Sequence, residues 1–418
     1  MSRKTSNSII DSFFIISESI KELSISDDEY VDIMKSQKYL HIFDSVKDFR
    51  QNGKIEYSLG DILMLAFIVI MKKGRGAFYY ISDYIRINID TFTEMGLIKD
   101  GKVPSHDTFR YIFTYLDGDS LQEETVGAFY NFLRDLEKEI PAKRRVRHIG
   151  VDGKEVTSSG RSKHCNSPSR NASMLNIYDS GLCTCIVSKA IDEKTNEIPV
   201  SQELLLKMNL NKVIVTADAL HCQKDTVRII SRKKGYYLLV VKDNQETLAN
   251  EMKDRFEKYK DRVEVIKRGE RTLEIYNLPK NYARDGWTGM KVFVRMTSKR
   301  KGREECVRYF ISNSVDRELI CEAIESRWEI ENGFHKEKDD KLDEDSLRSR
   351  DKNTLQNLVI MNNFIMQLIH IYSMIFGLST RHATMRFSEQ PIKCLCEILA
   401  FKSSEEIINQ LKQLLKKR

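Results

Sequence analysis

The sequence lacks an uninterrupted apolar run long enough to cross a membrane. Its longest purely apolar run extends from Ile62 to Met71, whereas a transmembrane helix needs about 20 such residues. The stretch from Val359 to Leu378 is longer, but polar residues interrupt it in the manner of a soluble helix with one polar side: Asn362, Asn363, Gln367 and His370. The first residues also lack the apolar region and small-residue cleavage site of a secretory signal. We therefore expect a cytoplasmic protein with no membrane partner.

Cysteine, proline and glycine are scarce as well. The 418 residues include 8 Cys, 6 Pro and 19 Gly, which excludes collagen-like and low-complexity chains. The cysteines are too scattered for a disulfide scaffold, so we expect reduced thiols. Two C-x-C pairs, Cys183 with Cys185 and Cys394 with Cys396, differ from the C-x₂₋₄-C spacing of structural zinc sites, which argues against zinc.

Charged residues, in contrast, are abundant and nearly balanced in sign. There are 68 basic and 61 acidic residues, a net charge of +7, beside 41% hydrophobic residues, so the chain can bury a sizeable core. Basic residues concentrate between Ala142 and Arg170, where eight of them face two acids. Four precede the first predicted strand: Lys143, Arg144, Arg145 and Arg147. This stretch is either a polyanion-binding segment or a solvated linker.

Hydrophobic periodicity divides the chain into four parts. Residues 1–140 are predicted to be helical, with Ser105 as a helix cap, and form either a helix-turn-helix that binds DNA ends or an ordinary helical domain. Residues 141–254 alternate strands and helices, including a helix predicted from Leu220 to Lys234. Residues 255–315 are rich in β-branched and turn residues, and residues 316–418 are helical again. Alternation of this kind predicts an α/β fold with a mixed sheet covered on both faces.

Three acids occupy informative positions in this pattern. Asp152 ends the first predicted strand, Asp218 follows the buried strand Lys212–Ala217, and Glu331 lies in a predicted helix. If the two strands are parallel neighbours, Asp152 and Asp218 emerge at the edge where α/β folds place their sites, and a helix across that edge could supply Glu331. Converging carboxylates need cations between them, and oxygen ligands select Mg²⁺ or Mn²⁺. Two such ions suit phosphoryl transfer on a phosphodiester.

Blocks around these acids resemble those of DDE transposases of bacterial insertion sequences, in particular the H-repeat-associated group. The blocks are 149–154 (Ile-Gly-Val-Asp-Gly-Lys), 216–221 (Thr-Ala-Asp-Ala-Leu-His), 241–245 (Val-Lys-Asp-Asn-Gln), 327–332 (Arg-Trp-Glu-Ile-Glu-Asn) and 104–109 (Pro-Ser-His-Asp-Thr-Phe). The resemblance implies a ribonuclease-H-like mixed sheet with a β-rich insertion, preceded by a helical N-terminal domain and followed by C-terminal helices. It also implies that Asp152, Asp218 and Glu331 are the catalytic triad and hold two Mg²⁺ or Mn²⁺ ions.

The glutamate-bearing block departs from the pattern of related transposases at one position. Those enzymes carry Tyr-x₂-Arg-x₃-Glu-x₆-Lys; here Arg327, Glu331 and Lys338 occupy the last three places and Ile324 replaces the tyrosine. Arg327 and Lys338 either hold the DNA backbone beside the metals or form salt bridges with neighbouring acids. His221 either orients a phosphate or makes a structural hydrogen bond.

The remaining candidates are DNA contacts that each have a structural alternative. Lys242, Asn244 and Gln245 follow a buried strand and either contact DNA or cap a loop. Trp287 lies in the β-rich insertion, where related transposases stack an aromatic on a flipped base, although a lone Trp more often packs.

Together these features predict an enzyme that cuts the ends of a mobile element and joins them to target DNA. Its expected partners are double-stranded DNA, meaning terminal repeats and target, and further copies of the chain, as a homodimer or larger assembly at the nucleoid. Two alternatives stay open: a metal-dependent nuclease without strand transfer, and a DNA-binding protein derived from a transposase.

Overall fold

The computed structural model describes residues 12–23, 28–51, 53, 55–73, 76–141, 146–156, 158–159, 171–192, 196–282, 286–298, 305–329, 335–347, 349 and 351–418. The strands in these ranges are β1 Arg147–Glu155, β2 Ser173–Asp179, β3 Thr184–Ala190, β4 Val213–Ala217, β5 Tyr236–Val241, β6 Val263–Arg268, β7 Arg271–Asn277, β8 Val292–Ser298 and β9 Cys306–Ser312. The helices before β4 are α1 Ser12–Ile20, α2 Asp28–Ser36, α3 Leu59–Lys73, α4 Phe78–Ile87, α5 Ile89–Glu94, α6 His106–Tyr115, α7 Gly118–Gln122, α8 Ala128–Lys138 and α9 Glu197–Lys207. The later helices are α10 Lys224–Arg232, α11 Glu246–Lys258, α12 Arg317–Glu329, α13 His335–Leu342, α14 Lys352–Phe376, α15 Thr380–Glu389, α16 Pro391–Ser403 and α17 Glu405–Lys417.

All nine of these strands belong to one mixed sheet, in the order β3-β2-β1-β4-β5-β9-β8-β7-β6. β1, β4 and β5 run parallel, and the other neighbouring pairs are antiparallel. The predicted β-rich segment thus forms four antiparallel strands that extend the sheet beyond β5. This arrangement confirms the predicted mixed α/β class.

Side chains alternate across the sheet, so each strand contributes to two separate apolar layers. On one face, Val215 of β4 and Leu239 of β5 pack with residues of α9, α10 and α11. On the other face, Ile214 and Val240 pack with Ile320 and neighbouring residues of α12. The parallel strands therefore have helices on both faces, which explains why β4 and β5 are continuous apolar runs.

The N-terminal and C-terminal helices form a single apolar core around α14. Residues of α1, α3, α6, α8, α16 and α17 belong to the same buried cluster as those of α14, and β2 and β3 contribute Met174, Tyr178 and Cys185. α14 is long and apolar enough to span a membrane, but 94% of its most hydrophobic window is buried inside the protein. Its length and composition therefore fit the central helix of a packed domain.

Most predicted elements lie where the sequence pattern put them, with one clear error. Ser105 caps α6 by accepting from the Thr108 amide, as predicted. The helix predicted to begin at Leu220 instead begins at Lys224, because the Asp218 carboxylate accepts from the amides of Leu220 and His221 and fixes a turn there. The seven described cysteines are free thiols.

Candidate active site

Asp152 and Asp218 lie where the parallel pairing of β1 with β4 ends. Asp218 follows β4 as predicted, but Asp152 does not end β1, because residues 152–155 continue the strand by pairing with β2. Val151 of β1 pairs with Ala217 of β4, so each aspartate is the next residue after a register pair. Val151 and Ala217 face α9–α11. Alternation turns Asp152 toward the other face, where α12 contacts β1, β4 and β5. Both aspartates are partly exposed, as a site open to substrate requires.

α12 crosses the face of the sheet from which Asp152 emerges and leads toward Glu331, which lies outside the described residues. Near its C-terminal end, Arg327 is 8% exposed. Its charge acts on His148 of β1, which is fully buried. Burial and then this charge lower the pKa of His148 to about 3, so its imidazole is neutral. The guanidinium of Arg327 is therefore close to the strand that carries Asp152.

His148 contributes to the site as a rigid support of the two strands. It lies four residues before Asp152 on the same face of β1, and its Nε2 is 2.7 Å from the Thr216 hydroxyl on β4. Its Nδ1 contacts the hydroxyl of Ser180 in the turn after β2. The imidazole thus joins β1 to β4, four residues before Asp152 on β1 and, through Thr216, two residues before Asp218 on β4.

The loop after Asp218 is held by the residues that follow β5. Asn244 donates from Nδ2 to the Ala219 carbonyl at 2.6 Å, and Gln245 donates from Nε2 to the Cys222 carbonyl at 3.0 Å. Both predicted amides therefore act in the structure as loop caps. Lys242 precedes them and is exposed at the same edge.

The side chain of His221, in this loop, is buried. Beside it lies Glu197, which the sequence pattern did not single out. His221 is 1% exposed, with Nδ1 3.0 Å from the Ser201 hydroxyl and Nε2 3.4 Å from the Glu197 carboxylate. The Glu197 carboxylate also lies against Gly153, where a Cβ would collide with it. Glu197 is in the first turn of α9, where an acid is ordinary, so only the tertiary structure reveals its closeness to the Asp152 strand.

Lys338 and Lys154 occupy a buried charge cluster next to the candidate site. Lys338 is fully buried, with Nζ 2.9 Å from Glu344 Oε1. Lys154, two residues after Asp152, approaches the same oxygen at 3.2 Å. The sequence pattern gave Lys154 no role of its own, although it is part of the block that contains Asp152. Arg327 and Lys338 lie on two described helices, α12 and α13.

The other candidate DNA contacts are placed away from the two aspartates or inside the protein. Arg147 begins β1, at the opposite end from Asp152, and its Nε lies 3.8 Å from the buried carboxylate of Asp179. Trp287 is 5% exposed and packs on the α10 face of the sheet, which agrees with packing as its main use. Lys143, Arg144 and Arg145 lie outside the described residues.

The donor set at the sheet edge fits a hard divalent cation. Asp152 and Asp218 offer carboxylate oxygens, the ligands that Mg²⁺ and Mn²⁺ prefer. Among the described residues, which leave out Glu331, no group of three or more potential ligands converges on one point.

Two parts of the sequence match known protein families. Residues 146–368 match the family described as Transposase DDE domain, and residues 40–129 match the family described as DDE_Tnp_1-associated. The first match covers more than half of the chain and includes Asp152, Asp218 and Glu331.

Curated relatives carry related names. The "H repeat-associated putative transposase YhhI" of Escherichia coli (strain K12) is 26% identical over 356 residues, 77% of this chain and 88% of the relative. The "Putative transposase YncI" of Escherichia coli O157:H7 is 26% identical over 346 residues, 77% of this chain and 85% of the relative.

Among solved structures, the piggyBac transposase synaptic complex with hairpin DNA is similar with a TM-score of 0.38 at 14% identity, over 97% of this chain and 84% of that one. With its sheet-edge aspartates inside the matched region, the chain belongs to the Transposase DDE domain family.

Proposed function

We propose that this protein is a transposase that cuts the ends of a mobile element and joins them to target DNA. Asp152, Asp218 and Glu331 are its catalytic residues and the ligands of two Mg²⁺ or Mn²⁺ ions. The observation that carries the proposal is the placement of Asp152 and Asp218 at one edge of two parallel strands, with α12 leading toward Glu331. The family match over the same residues supports it.

The strand order supports a ribonuclease-H-like core within this fold. On one side of β1 lie β2, which is antiparallel to it, and then β3, which is antiparallel to β2. On the other side lie β4 and β5, which both run parallel to β1. Strands β6–β9 then lie between the second and third acids, as expected of an insertion. We also propose that the N-terminal helices bind the DNA ends. They do so as part of a larger helical unit, because they share one apolar core with α14.

The residues of the proposed site have two roles: some hold the metal ions and others hold the DNA. Bound divalent ions would stabilise the attacking and leaving oxygens of the phosphodiester. Asp218 is kept in place for this by its turn, which Asn244 and Gln245 fix from below. Lys242 is exposed at the same edge and is positioned to meet a DNA phosphate. We also propose that two or more copies act together, one at each element end.

Isosteric substitution of each acid tests the triad. Asp152→Asn, Asp218→Asn and Glu331→Gln should each abolish Mg²⁺-dependent cleavage of a duplex carrying the DNA that flanks this gene, and DNA binding should persist. Each change removes a metal ligand and leaves the DNA-holding cations in place. Single-turnover cleavage on gels and fluorescence anisotropy measure the two properties.

Asp243→Asn is the matched control, because Asp243 is an exposed carboxylate at the same edge, just after β5. It should cleave at the wild-type rate. Near wild-type cleavage by any triad variant would remove that residue from the triad. A pre-cleaved end separates the alternatives: joining to a second duplex supports transposition, and cleavage without joining indicates a nuclease.

A further inference from the structure

The helix that follows Glu331 packs against the rest of the protein without an apolar face. α13 has the sequence His-Lys-Glu-Lys-Asp-Asp-Lys-Leu, and Leu342 is its one apolar residue. Lys338 in its middle is nevertheless fully buried. A lysine is almost never fully buried unless its charge is paired. The forces that hold α13 in place must therefore come largely from its polar contacts.

These contacts form a cluster of two cations and three anions, which we call the charge cluster: Lys154, Lys338, Asp339, Glu344 and Asp345. Glu344 is central, because it is 1% exposed and its Oε1 lies 2.9 Å from Lys338 Nζ and 3.2 Å from Lys154 Nζ. Lys154 also lies 2.5 Å from Asp339 and 3.5 Å from Asp345. The cluster therefore joins β1 to α13 and to the turn that follows it.

α14 anchors the same cluster from below. Lys338 donates to the Asn363 side-chain oxygen at 3.1 Å, and Asn362 donates to Glu344 Oε2 at 3.4 Å. Burial by itself would raise the pKa of Glu344, but the charges of Lys338 and Lys154 hold it below its usual value. The carboxylate is thus ionised, and both lysines have a fixed partner inside the protein.

The charge cluster connects the strand that carries Asp152 to the helix that follows Glu331. Lys154 lies two residues after Asp152 on the same face of β1, and Lys338 lies seven residues after Glu331. Both reach one oxygen atom of Glu344. A shift of α13 along β1 would separate a buried ion pair, which is strongly unfavourable because it leaves an uncompensated charge.

We propose that Lys154 and Lys338 are positioning residues, which through Glu344 fix α13, the helix that follows Glu331, against the Asp152 strand, and that Lys338 does not contact DNA. This inference rests on the proposed function. Its structural basis is the full burial of Lys338 and the shared carboxylate. The same lysine read from the sequence alone is an equally good phosphate contact, so the two roles make different predictions.

The test uses the full chain with Lys338→Met, and Lys336→Met as its control, since Lys336 is an exposed lysine of the same helix. Calorimetric titration with Mn²⁺ measures the metal affinity without any reaction. Lys338→Met should weaken Mn²⁺ binding and single-turnover cleavage at saturating DNA by about 10- to 100-fold, as loss of a residue supporting metal ligands does. The slope of log K against log salt for a random duplex should not change.

A phosphate contact gives the opposite result. The salt slope would then flatten by about 0.9 and metal affinity would stay at the wild-type value, which would overturn the proposal. If Lys338→Met does not fold, Lys154→Met replaces it, because it leaves the Lys338–Glu344 pair intact and should weaken Mn²⁺ binding in the same way. Unchanged Mn²⁺ affinity in a folded Lys154→Met protein would also overturn the proposal.

A further control separates this inference from the proposed function. Asp152→Asn should remove Mn²⁺ binding from the otherwise wild-type chain. If Mn²⁺ binds equally well without that carboxylate, the triad assignment has failed. If Asp152 is required and the lysine variants bind as wild type, only the positioning role has failed.

Discussion

The strands that carry Asp152 and Asp218 are held in place differently from α13, the helix that follows Glu331. β1 and β4 are hydrogen bonded to neighbours on both sides and buried between apolar layers. α13 contributes a single apolar side chain and depends on ion pairs. Apolar burial is spread over many contacts, whereas an ion pair fails when one partner is lost. The strands that carry the two aspartates are thus held by many contacts, whereas the helix after Glu331 is held by a few charges.

The largest effect is expected when a charge is placed in the apolar layer that holds β1 and β4. Val215 is fully buried and pairs with Ile149 on β1 and Tyr237 on β5. Val215→Asp should prevent stable folding, because an unpaired buried charge costs several kcal/mol, about as much as a domain's whole stability. Circular dichroism during heating measures this. Val265→Asp on β6, where the side chain is 55% exposed, should melt like the wild type; a cooperative transition near the wild-type temperature in Val215→Asp would contradict the comparison.

Loss of one charge from the charge cluster should cause the next largest loss of stability. Glu344→Gln leaves the ammonium of Lys338 buried without its counter-charge, and should lower the free energy of unfolding by about 3–5 kcal/mol. Urea denaturation measures the loss. Glu203→Gln breaks an exposed pair with Lys207, 2.7 Å apart, and should unfold at the same urea concentration as the wild type.

Removing both charges sharpens this prediction. Lys338→Leu combined with Glu344→Leu should recover much of the lost stability, because a buried ion pair can often be replaced by packed apolar groups. A double variant no more stable than Glu344→Gln would mean that the pair contributes through its shape and hydrogen bonds more than through its charge.

A smaller effect is expected from the second polar attachment of α13, between Glu337 and His370 of α14. The Glu337 carboxylate lies 3.1 Å from His370 Nε2. Burial would raise the pKa of Glu337, but the hydrogen bond and charge of His370, together with those of Lys341, outweigh it and lower the pKa from 4.5 to about 2. Its contribution to stability is therefore complete above pH 4.5 and is lost as the pH falls toward 2.

Comparison with Glu337→Gln isolates this contribution. The variant should be less stable than the wild type by about 1–2 kcal/mol at neutral pH, after allowance for the partial exposure of the carboxylate. The difference should shrink as the pH falls from 4.5 to 2. A difference that stays constant over this range, in urea denaturation at several pH values, would show that Glu337 does not act through its charge.

Sequence patterns predicted the strand side of the site well, for physical reasons. β4 and β5 are continuous apolar runs because both of their faces are buried, and such runs are visible without tertiary information. The same patterns place Asp218 correctly after β4, but they end β1 at Asp152, whereas its pairing with β2 continues to Glu155. The start of α10 was missed because the Asp218 side chain and the amides of Asn244 and Gln245 shape residues 218–222.

The burial of Lys338 in α13 could not be predicted from the sequence in the same way. Its eight residues are indistinguishable from an exposed, solvated helix, because the partners that bury Lys338 are Glu344 and Asn363, six and 25 residues away. Glu197 is similar, since its closeness to Gly153 follows from how α9 packs on the sheet. The local sequence pattern reveals which residues are buried among apolar groups. It does not reveal which charged residues are buried in ion pairs with residues distant in the sequence.

The central position of α14 has a consequence for the order of events during synthesis. The apolar residues of α1–α8 are completed by a helix that begins at Lys352, 214 residues after Lys138 ends α8. At about 5–20 residues per second, translation exposes those surfaces for roughly 10–40 s before α14 can cover them. Nascent chains of this protein should therefore depend on chaperones until α14 leaves the ribosome, and a chain cut short before it should be removed by proteolysis.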